Sequence, residues 1–511
     1  MKIPRLTSAL PQLALLAAFA IASRAQEKAT TPFAITVLDD QTGRGVPLVE
    51  LTTVNHIHYV TDSAGVVAFD EPGLMNQRVF FTVTSHGYEF PKDGFGMRGV
   101  ALQVKPGGSA TLKIKRINIA ERLYRTTGGG IYRDTVLLGR KPPIEEPVLD
   151  GQVFGQDSVQ RVIYKGQIHW FWGDTNRPSY PLGHFGMSGA VSDLPGQGGL
   201  DPSVGVNLRY FVDDKGFSRP MIPGKDLRWA DGFMVLKDPQ GRERMVAKCD
   251  LLKSLSQLYG RKLIVYNDEK ESFDDLAPLA RDEQLCPKGH PFKHTEGGVE
   301  YFYFPAPYAL LRVKADWQSV LDTTAYEGFT PLVAGSRYQK DKTQLERNPE
   351  GQLVRAWKKN TPPLSEVQES ALIKAGLMKP EETWLRLKDV QSGASVRLHA
   401  GTVNWNPFRK KWIIIAVEQL GKSSVLGEVW YTESDQPQGP YHLARKIVTH
   451  DRYSFYNPAH HPFFDQEGGK IVYFEGTYTT TFSGNDLPTP RYDYNQVMYR
   501  LDLSDPRLKL E

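Results

Sequence analysis

The first regular pattern in the chain is a strict alternation of apolar and polar residues. Between residues 33 and 115, short alternating runs such as "FAITVLDD" are separated by turn sequences, among them "DDQTG" and "TDSAG". Alternation places successive side chains on opposite faces of a strand, so that one face can be buried. We therefore predict a small β-sandwich over residues 26–117.

From residue 151 onward, short strands recur with tight turns between them. Strand, turn and strand follow one another in "YKGQIHW", "KDPQGRERM" and "NPFRKKW", which is the pattern of β-hairpins. A length of roughly 360 residues leaves room for about five four-stranded blades. We predict an all-β fold in which residues 151–511 form a five-bladed β-propeller, with a large double-sheet sandwich as the alternative.

Two segments depart from the strand pattern. The stretch "PPLSEVQESALIKAGLMKPEETW" has helical periodicity, and Ser365 with Gln368 fits a capping box, so we predict one helical insertion at about 361–390. The polar passage 118–150, with its glycines and prolines, is predicted to be a linker. Its part "IAERLYRTTGGGIYRDTVLLG" nevertheless has enough apolar residues to supply a strand that closes the last blade.

The first 25 residues have the pattern of a secretory signal peptide. Lys2 and Arg5 precede the apolar run "LALLAAFAIA", and Ser23 and Ala25 are small residues that suit a signal-peptidase site. We expect a secreted or periplasmic protein. The apolar run is too short to span a membrane and no later segment is apolar enough, so no membrane span is expected.

Charge and cysteine content narrow the range of partners. The chain has 62 Lys and Arg against 58 Asp and Glu, a net charge of +4, and lacks a basic run that would follow a nucleic acid backbone. Nucleic acid is therefore not expected as a partner, and the oligomeric state is left open. Only Cys249 and Cys286 occur, which excludes a disulfide scaffold; the two either pair or stay separate as buried thiols.

Specific segments of the chain resemble known families. "DSVQRVIYKGQIHWFWGDT" and "GEVWYTESDQPQGPYHLARKIV" look like the five-bladed β-propeller glycoside hydrolases of the arabinanase type and related families with a "WGDT" or "FGDT" strand end. That likeness covers residues 151–503. The turns "TGRGVPLV" and "TDSAG" resemble those of carboxypeptidase-regulatory-like or transthyretin-like modules. The resemblance implies a secreted glycoside hydrolase that cleaves a plant or microbial polysaccharide.

The resemblance also implies three catalytic carboxyl groups. A first-blade aspartate that acts as general base matches Asp157, and a second-blade aspartate that tunes pKa and orientation matches Asp231 in "RWADGFMVL". The third-blade general acid is assigned to Glu296 in "HTEGGVEYFYF", which precedes the next inner-strand candidate. Glu418 and Glu475 are rivals for that role.

The chemistry alone explains why several carboxyl groups are needed. Cleavage of a glycosidic bond needs one carboxylic acid to protonate the leaving oxygen and one carboxylate to activate water or attack the sugar. Inner strands of a propeller converge on its axis, where crowded like charges raise one pKa. Asp174 in "WGDT" follows a glycine at a strand end, so it either caps the amides of the turn or joins the catalytic residues.

Substrate contacts are expected from aromatic and polar residues near the inner strands. The expected residues are Trp229, Trp405, Asn457, His460 and Glu475. His460 and His461 point to opposite faces of an extended chain and do not readily chelate one ion together. We expect one of them either to line the axis, as a donor to substrate or a ligand of a structural ion, or to be packed. No cofactor is expected to be required; a structural Ca²⁺ in the axis stays open, with unknown ligands.

Two functions remain as alternatives to the hydrolase. A non-catalytic carbohydrate-binding or scaffold propeller would keep the fold without the chemistry. A polysaccharide lyase would use His460 as base and Tyr456 as acid. Three carboxyl groups at inner-strand starts favour the hydrolase, and a polysaccharide or oligosaccharide is the partner expected in each case.

Overall fold

The computed structural model describes residues 31–184, 186–254 and 256–511. The predicted signal peptide, residues 1–25, lies outside the described residues. The described chain is mostly β with few helices, which confirms that part of the prediction. Within these ranges, no helix is both long and apolar enough to cross a membrane.

Residues 33–116 form two four-stranded sheets around one apolar core. The strands are β1 (Phe33–Asp39), β2 (Glu50–Thr53), β3 (His58–Val60), β4 (Val66–Phe69), β5 (Arg78–Thr84), β6 (Tyr88–Glu89), β7 (Gly99–Gln103) and β8 (Ser109–Arg116). One sheet has the order β4-β1-β8-β6 and the other the order β3-β2-β5-β7. Ile35 and Val37 of β1 face Phe81 and Val83 of β5 in this core, because alternate residues of a strand share one face.

Five larger sheets follow along the rest of the chain, antiparallel except for one parallel pair of strands at the edge of the fourth. Their strands and three additional short ones are β9 (Glu121–Arg125), β10 (Gly155–Gln156), β11 (Gln160–Tyr164), β12 (Gln167–Trp172), β13 (Thr175–Arg177), β14 (Tyr180–His184), β15 (Ser188–Asp193), β16 (Arg209–Tyr210), β17 (Leu227–Lys237), β18 (Glu243–Ser254), β19 (Gln257–Asn267), β20 (Ser272–Leu279), β21 (Phe292–Glu296), β22 (Val299–Tyr303), β23 (Leu311–Lys314), β24 (Glu327–Thr330), β25 (Ala356–Lys359), β26 (Leu387–Asp389), β27 (Ser395–Val396), β28 (Leu398–Asn406), β29 (Lys411–Glu418), β30 (Val429–Ser434), β31 (Leu443–Val448), β32 (Ser454–His460), β33 (Ile471–Thr479) and β34 (Asn495–Asp502). The first four sheets are β11-β12-β15-β16, β17-β18-β19-β20, β21 to β25 in order, and β28 to β31 with β26 and β27 at the outer edge. The fifth is β32-β33-β34-β9, and β10, β13 and β14 form a small separate sheet.

Apolar clusters between neighbouring sheets arrange the five sheets in a ring. Phe171 of the first sheet stacks on Phe233 of the second, with ring centroids 4.7 Å apart. Further clusters join the second sheet to the third, the third to the fourth and the fourth to the fifth. Trp170 of the first sheet and Tyr473 of the fifth share one more cluster. The first strands of the sheets, β11, β17, β21, β28 and β32, therefore lie toward the middle of the ring.

The fifth sheet is completed by a strand from the passage that was predicted to be a linker. β9 pairs antiparallel with β34, and Leu123 and Tyr124 of β9 are buried. Residues 118–150 thus differ from a plain linker, because these apolar side chains fill the joint between the fifth and first sheets. Arg122 of the same strand donates hydrogen bonds to the carbonyl oxygens of Pro47 and Leu48, which ties the ring to the N-terminal sheets.

The helices are short. They are α1 (Arg133–Leu137), α2 (Trp317–Leu321) and α3 (Glu366–Lys374), with 3₁₀ helices at Thr323–Ala325, Lys340–Lys342, Pro380–Glu382, Pro462–Phe464, Glu467–Gly469 and Pro506–Leu508. The predicted capping box begins α3: the Gln368 amide donates to Ser365 Oγ at 3.2 Å, and the Ser365 amide donates to Gln368 Oε1 at 2.9 Å. Cys249 and Cys286 are buried free thiols, so the two do not pair.

Candidate active site

One cavity of about 380 Å³ lies where the first strands of all five sheets converge. Each sheet contributes to its lining at or just before its first strand: Asp157, Asp231, His290, His399 and Asn457. These residues are far apart in the sequence, and the ring brings them together. The cavity volume falls in the range of small-molecule sites.

Asp157 is the carboxyl group that the first sheet presents to this cavity. Gly173 makes room for it, since a Cβ atom on Gly173 would lie 2.2 Å from Asp157 Oδ1. The Tyr456 hydroxyl donates to Asp157 Oδ2 at 2.7 Å. Burial and the nearby charge of Asp174 raise the pKa of Asp157 to about 6, against the opposing effect of hydrogen bonds from Tyr456 and Tyr494. The group can therefore change protonation near neutral pH.

Asp174 lies beside Asp157, because Asp157 precedes the first strand of the β11–β12 hairpin and Asp174 follows its second strand. In the part of the chain that the structure describes, its carboxylate accepts a hydrogen bond from the Trp229 indole of the second sheet, at 3.1 Å, and not from the amides of its own turn. Burial raises the pKa of Asp174, and the bond from Trp229 opposes this rise. Two carboxyl groups with raised pKa values thus bracket the first hairpin of the ring.

Asp231, on the second sheet, is held in an ionic network. Lys248 Nζ lies 2.8 Å from Asp231 Oδ1 and 2.9 Å from Asp250 Oδ2, and the Gly289 amide donates to Asp231 Oδ2 at 3.0 Å. Burial opposes the charge of Lys248, but the two carboxylates outweigh it and raise the pKa of the amine. The cavity lining therefore combines Asp157, whose pKa is raised, with two carboxylates that are paired with a lysine.

Lys248 and Asp250 were not found by sequence reasoning. Counting outward from the "PQG" turn pairs Lys237 with Glu243 and would place Cys249 opposite Asp231. A β-bulge at Asp231–Met234, where Gly232 has φ +70°, shifts the register so that Lys248 pairs with Asp231 instead. A one-residue shift moves every side chain of a strand to the other face of the sheet. The sequence signal for Lys248 and Asp250 was therefore limited to the alternation "KCD" in β18, which places these two residues on one face.

Glu296 is not brought to the cavity. It is the last residue of β21, where its Oε2 accepts from the Tyr303 hydroxyl at 2.7 Å and contacts Arg312. The residue near β21 that does line the cavity is His290, which precedes the strand. Glu418, a rival for the acid role, accepts at 2.8 Å from the Trp430 indole in the fourth sheet and is likewise outside the cavity lining.

His461 and Glu475 belong to an enclosed polar cluster around Arg161. The Arg161 guanidinium donates to Nδ1 of His461 at 3.2 Å and contacts Nδ1 of His290 at 2.7 Å. Since arginine only donates, each Nδ1 is an acceptor, and Nε2 of His461 donates to Glu475 at 3.1 Å. Burial raises the pKa of Glu475 to about 7. His460 faces away from this cluster, with Nε2 2.8 Å from Asp465 Oδ1.

The expected substrate-binding residues therefore occupy different places. Trp229 and Asn457 line the cavity, whereas His460 and Glu475 are buried and outside its lining. Trp405 is 46% exposed and packs on Trp412 at the far end of β28. Asn457 donates to Ser158 Oγ at 2.8 Å.

The backbone around the Asn457–Ser158 contact is strained. Asn457 has φ +49° and Ser158 has φ +56°, a left-handed conformation that side chains other than glycine rarely adopt. Such strain tends to persist where the surrounding structure fixes a functional geometry.

The comparisons with known proteins give only distant similarities. No family model and no curated protein matches the chain. Among solved structures, an exo-1,5-α-L-arabinanase from a bovine ruminal metagenomic library is 9% identical, with coverage of 69% of this chain and 94% of that one and a TM-score of 0.33.

Two further solved structures are similar to the chain at the same level. The GH43_1 enzyme from Xanthomonas citri, complexed with xylose, is 10% identical, with 69% and 88% coverage and a TM-score of 0.33. An exo-β-1,3-galactanase from Phanerochaete chrysosporium, with β-1,3-galactotriose, is 8% identical, with 76% and 66% coverage and a TM-score of 0.34. These similar structures are glycoside hydrolases; because the scores are low, we base the function of this chain on its own residues.

Proposed function

We propose that the protein is a glycoside hydrolase acting on a polysaccharide or oligosaccharide, and that the ring of five sheets is a five-bladed β-propeller. One observation carries the proposal: carboxyl groups of two sheets, Asp157 and Asp231, face one cavity, and Asp157 has a pKa raised to about 6. Glycosidic cleavage requires more than one carboxyl group at the reacting bond.

In the proposed reaction, Asp157 is the general base. Above about pH 6 it is ionised and takes a proton from water, whose oxygen attacks the anomeric carbon as the bond to the leaving oxygen breaks. Asp231, paired with Lys248, is the group that stabilises the positive charge that develops on the sugar ring. The role of Asp157 follows the resemblance, whereas the resemblance gives the second-sheet aspartate, Asp231, the role of tuning pKa and orientation.

The general acid is the role that the proposal reassigns. Glu296 lies outside the cavity, at the far end of β21. Asp174 is not part of the lining itself, but its neighbour Gly173 and its hydrogen-bond partner Trp229 are, and its pKa is raised. We therefore assign the proton for the leaving oxygen to Asp174. The charge repulsion between the two aspartates favours a state with one proton on the pair, and the proposed roles require that proton to be on Asp174 while Asp157 is ionised.

The proposal extends to the remaining parts of the chain. Residues 33–116 are taken as a β-sandwich module of the carboxypeptidase-regulatory-like kind, since two sheets share one core there. The leader-like residues 1–25 support export to the periplasm or the exterior. Trp229 and Asn457 are assigned to substrate binding because both line the cavity.

A non-catalytic carbohydrate-binding protein is the second candidate. It is favoured by the absence of a glutamate from the described cavity lining. The lyase alternative has less support, because Nε2 of its base, His460, is engaged by Asp465, and the hydroxyl of its acid, Tyr456, donates to Asp157.

Release of reducing sugar from a panel of purified polysaccharides tests the proposal. The wild-type chain should release sugar from at least one polymer, Asp157→Asn should not, and the exposed Asp486→Asn should match the wild type. Binding without release by the wild type would favour the carbohydrate-binding alternative. Products that absorb near 232 nm, as unsaturated sugars do, would favour a lyase.

A further inference from the structure

A second cavity of about 240 Å³ adjoins the proposed active site. The two cavities share Ala306 and His399 in their linings. The second lies between the third and fourth sheets and the N-terminal end of α3, where Ser365 and Glu366 contribute to it. A ligand longer than one sugar unit can therefore extend from one cavity into the other.

Lys288 lines the second cavity, where the residue is half-buried, and it differs from the buried lysines of the ring. Lys248 is paired with Asp231 and Asp250, and the amine of Lys358 lies 2.6 Å from Glu346. Among the residues that the structure describes, no hydrogen bond or ion pair engages the amine of Lys288. An unpaired amine that is shielded from water is costly unless something compensates for it.

The other charges around the second cavity cancel. Glu366 Oε1 is 2.9 Å from Arg397 Nε, so these two residues neutralise each other. His399 is neutral near pH 7, because burial lowers its pKa. Among the described residues that line this cavity, Lys288 is therefore the charged group that no other lining residue neutralises.

Burial also lowers the pKa of Lys288. A bound anion would reverse that shift, because a nearby negative charge favours the protonated amine. The first cavity has the opposite character: among the described residues that line it, Asp157, Asp231 and Asp250 are accompanied by one lysine, Lys248. An anionic group on a ligand is therefore repelled from the first cavity and attracted to the second.

We propose that the second cavity binds the carboxylate of an acidic sugar unit through Lys288, next to the unit that is cleaved in the first cavity. The chain order supports this arrangement, since Lys288 lines the second cavity and the next two residues, Gly289 and His290, line the first. The substrate is then a uronic-acid-containing oligosaccharide. This inference rests on the proposed function for the identity of the first cavity.

The test measures binding and does not depend on turnover. The full chain carrying Asp157→Asn is titrated calorimetrically with a uronic-acid-containing oligosaccharide and with its neutral analogue. Binding of the acidic ligand should be at least about tenfold tighter, and raising the salt concentration should reduce that preference. A sulfated neutral oligosaccharide in a third arm separates a carboxylate site from a site for any anion.

Substitutions locate the effect. Adding Lys288→Gln should abolish the preference, whereas Lys314→Gln, at an exposed lysine of the third sheet, should leave it intact. Equal binding of acidic and neutral ligands, a preference that Lys288→Gln leaves unchanged, or no binding of either ligand would overturn the inference. If Lys288→Gln does not fold, a salt-independent preference would overturn it equally. If the wild-type chain binds the acidic ligand preferentially but hydrolyses nothing, the proposed hydrolase function is wrong and the acidic-sugar site stands.

Discussion

Two buried carboxyl sites in the ring invite comparison, because burial raises the pKa of both. Asp157 has a pKa raised to about 6 and Glu475 one raised to about 7. Asp157 opens on the cavity and receives a tyrosine hydroxyl. Glu475 is fully buried and receives Nε2 of His461.

The difference shows that a raised pKa does not identify a catalytic group by itself. Burial alone produces the shift at Glu475, where no substrate atom can arrive, and the carboxyl serves the packing around Arg161. At Asp157 the same physics acts on a group that faces open space, with a second carboxyl, Asp174, beside it. The two carboxyl groups therefore differ in whether a substrate can reach them: Asp157 lines the cavity and Glu475 is enclosed.

Asp157→Asn should lower kcat/KM by about 10³-fold or more, since the amide cannot accept the proton of water. The substitution should not destabilise the fold, because it removes a carboxyl whose ionisation burial disfavours. Initial rates on the polysaccharide found in the panel, with a thermal melt at pH 7, measure both effects. Activity within tenfold of the wild type would remove Asp157 from the mechanism.

Asp174→Asn should lower the rate on a natural oligosaccharide about 100-fold. The loss should be much smaller on an aryl glycoside whose leaving group needs no proton, because a general acid matters only when the leaving oxygen must be protonated. Asn keeps an oxygen acceptor for the Trp229 indole, so the contact survives. Equal losses on both substrates would assign Asp174 a structural role instead.

Trp229→Ala should raise KM about tenfold, the effect of one lost sugar-stacking surface of roughly 1.4 kcal/mol. Trp405→Ala is the matched control, because Trp405 is at the opposite end of a first strand from the cavity and 46% exposed. Its KM should stay within twofold of the wild type. Similar changes in both variants would mean that the substrate extends over the outer face of the fourth sheet.

The resemblance, together with the strand pattern, led to Asp157 and Asp231, and both line the cavity. Asp157 stands before a clearly alternating strand, and Asp231 lies in a long hairpin strand. Glu296 was misplaced because β22, the apolar "VEYFY", was taken for the first strand of its sheet. The first strand is β21, "FKHTE", whose polar composition hides it and leaves Glu296 at its far end.

Other features needed tertiary information. Lys248 faces Asp231 only because of the β-bulge in β17, and a bulge has no reliable signature in one sequence. The apolar residues around β9 indicated a strand that could close the last blade, but they did not give its partner, because its pairing with β34 spans most of the chain. In contrast, the mostly β fold and the capping box of α3 follow from local patterns.

Glu475→Gln should have the smallest effect on activity and the clearest effect on the pH dependence of stability. Folding raises the pKa of this carboxyl from its ordinary 4.5 to about 7, so the folded chain holds a proton that the unfolded chain releases between those values. The stability of the wild type should therefore fall as the pH rises from about 4.5 to 7, by up to about 3 kcal/mol. Gln does not ionise and still accepts from Nε2 of His461.

The Gln variant should consequently gain stability relative to the wild type as the pH is raised from 4.5 to 8, while kcat/KM stays within about threefold. Urea unfolding at both pH values measures the gain, and Glu350→Gln, at an exposed glutamate, is the control that should show none. A loss of kcat/KM beyond about 100-fold, with the fold intact, would contradict the comparison, because an enclosed carboxyl would then be serving the chemistry as directly as Asp157.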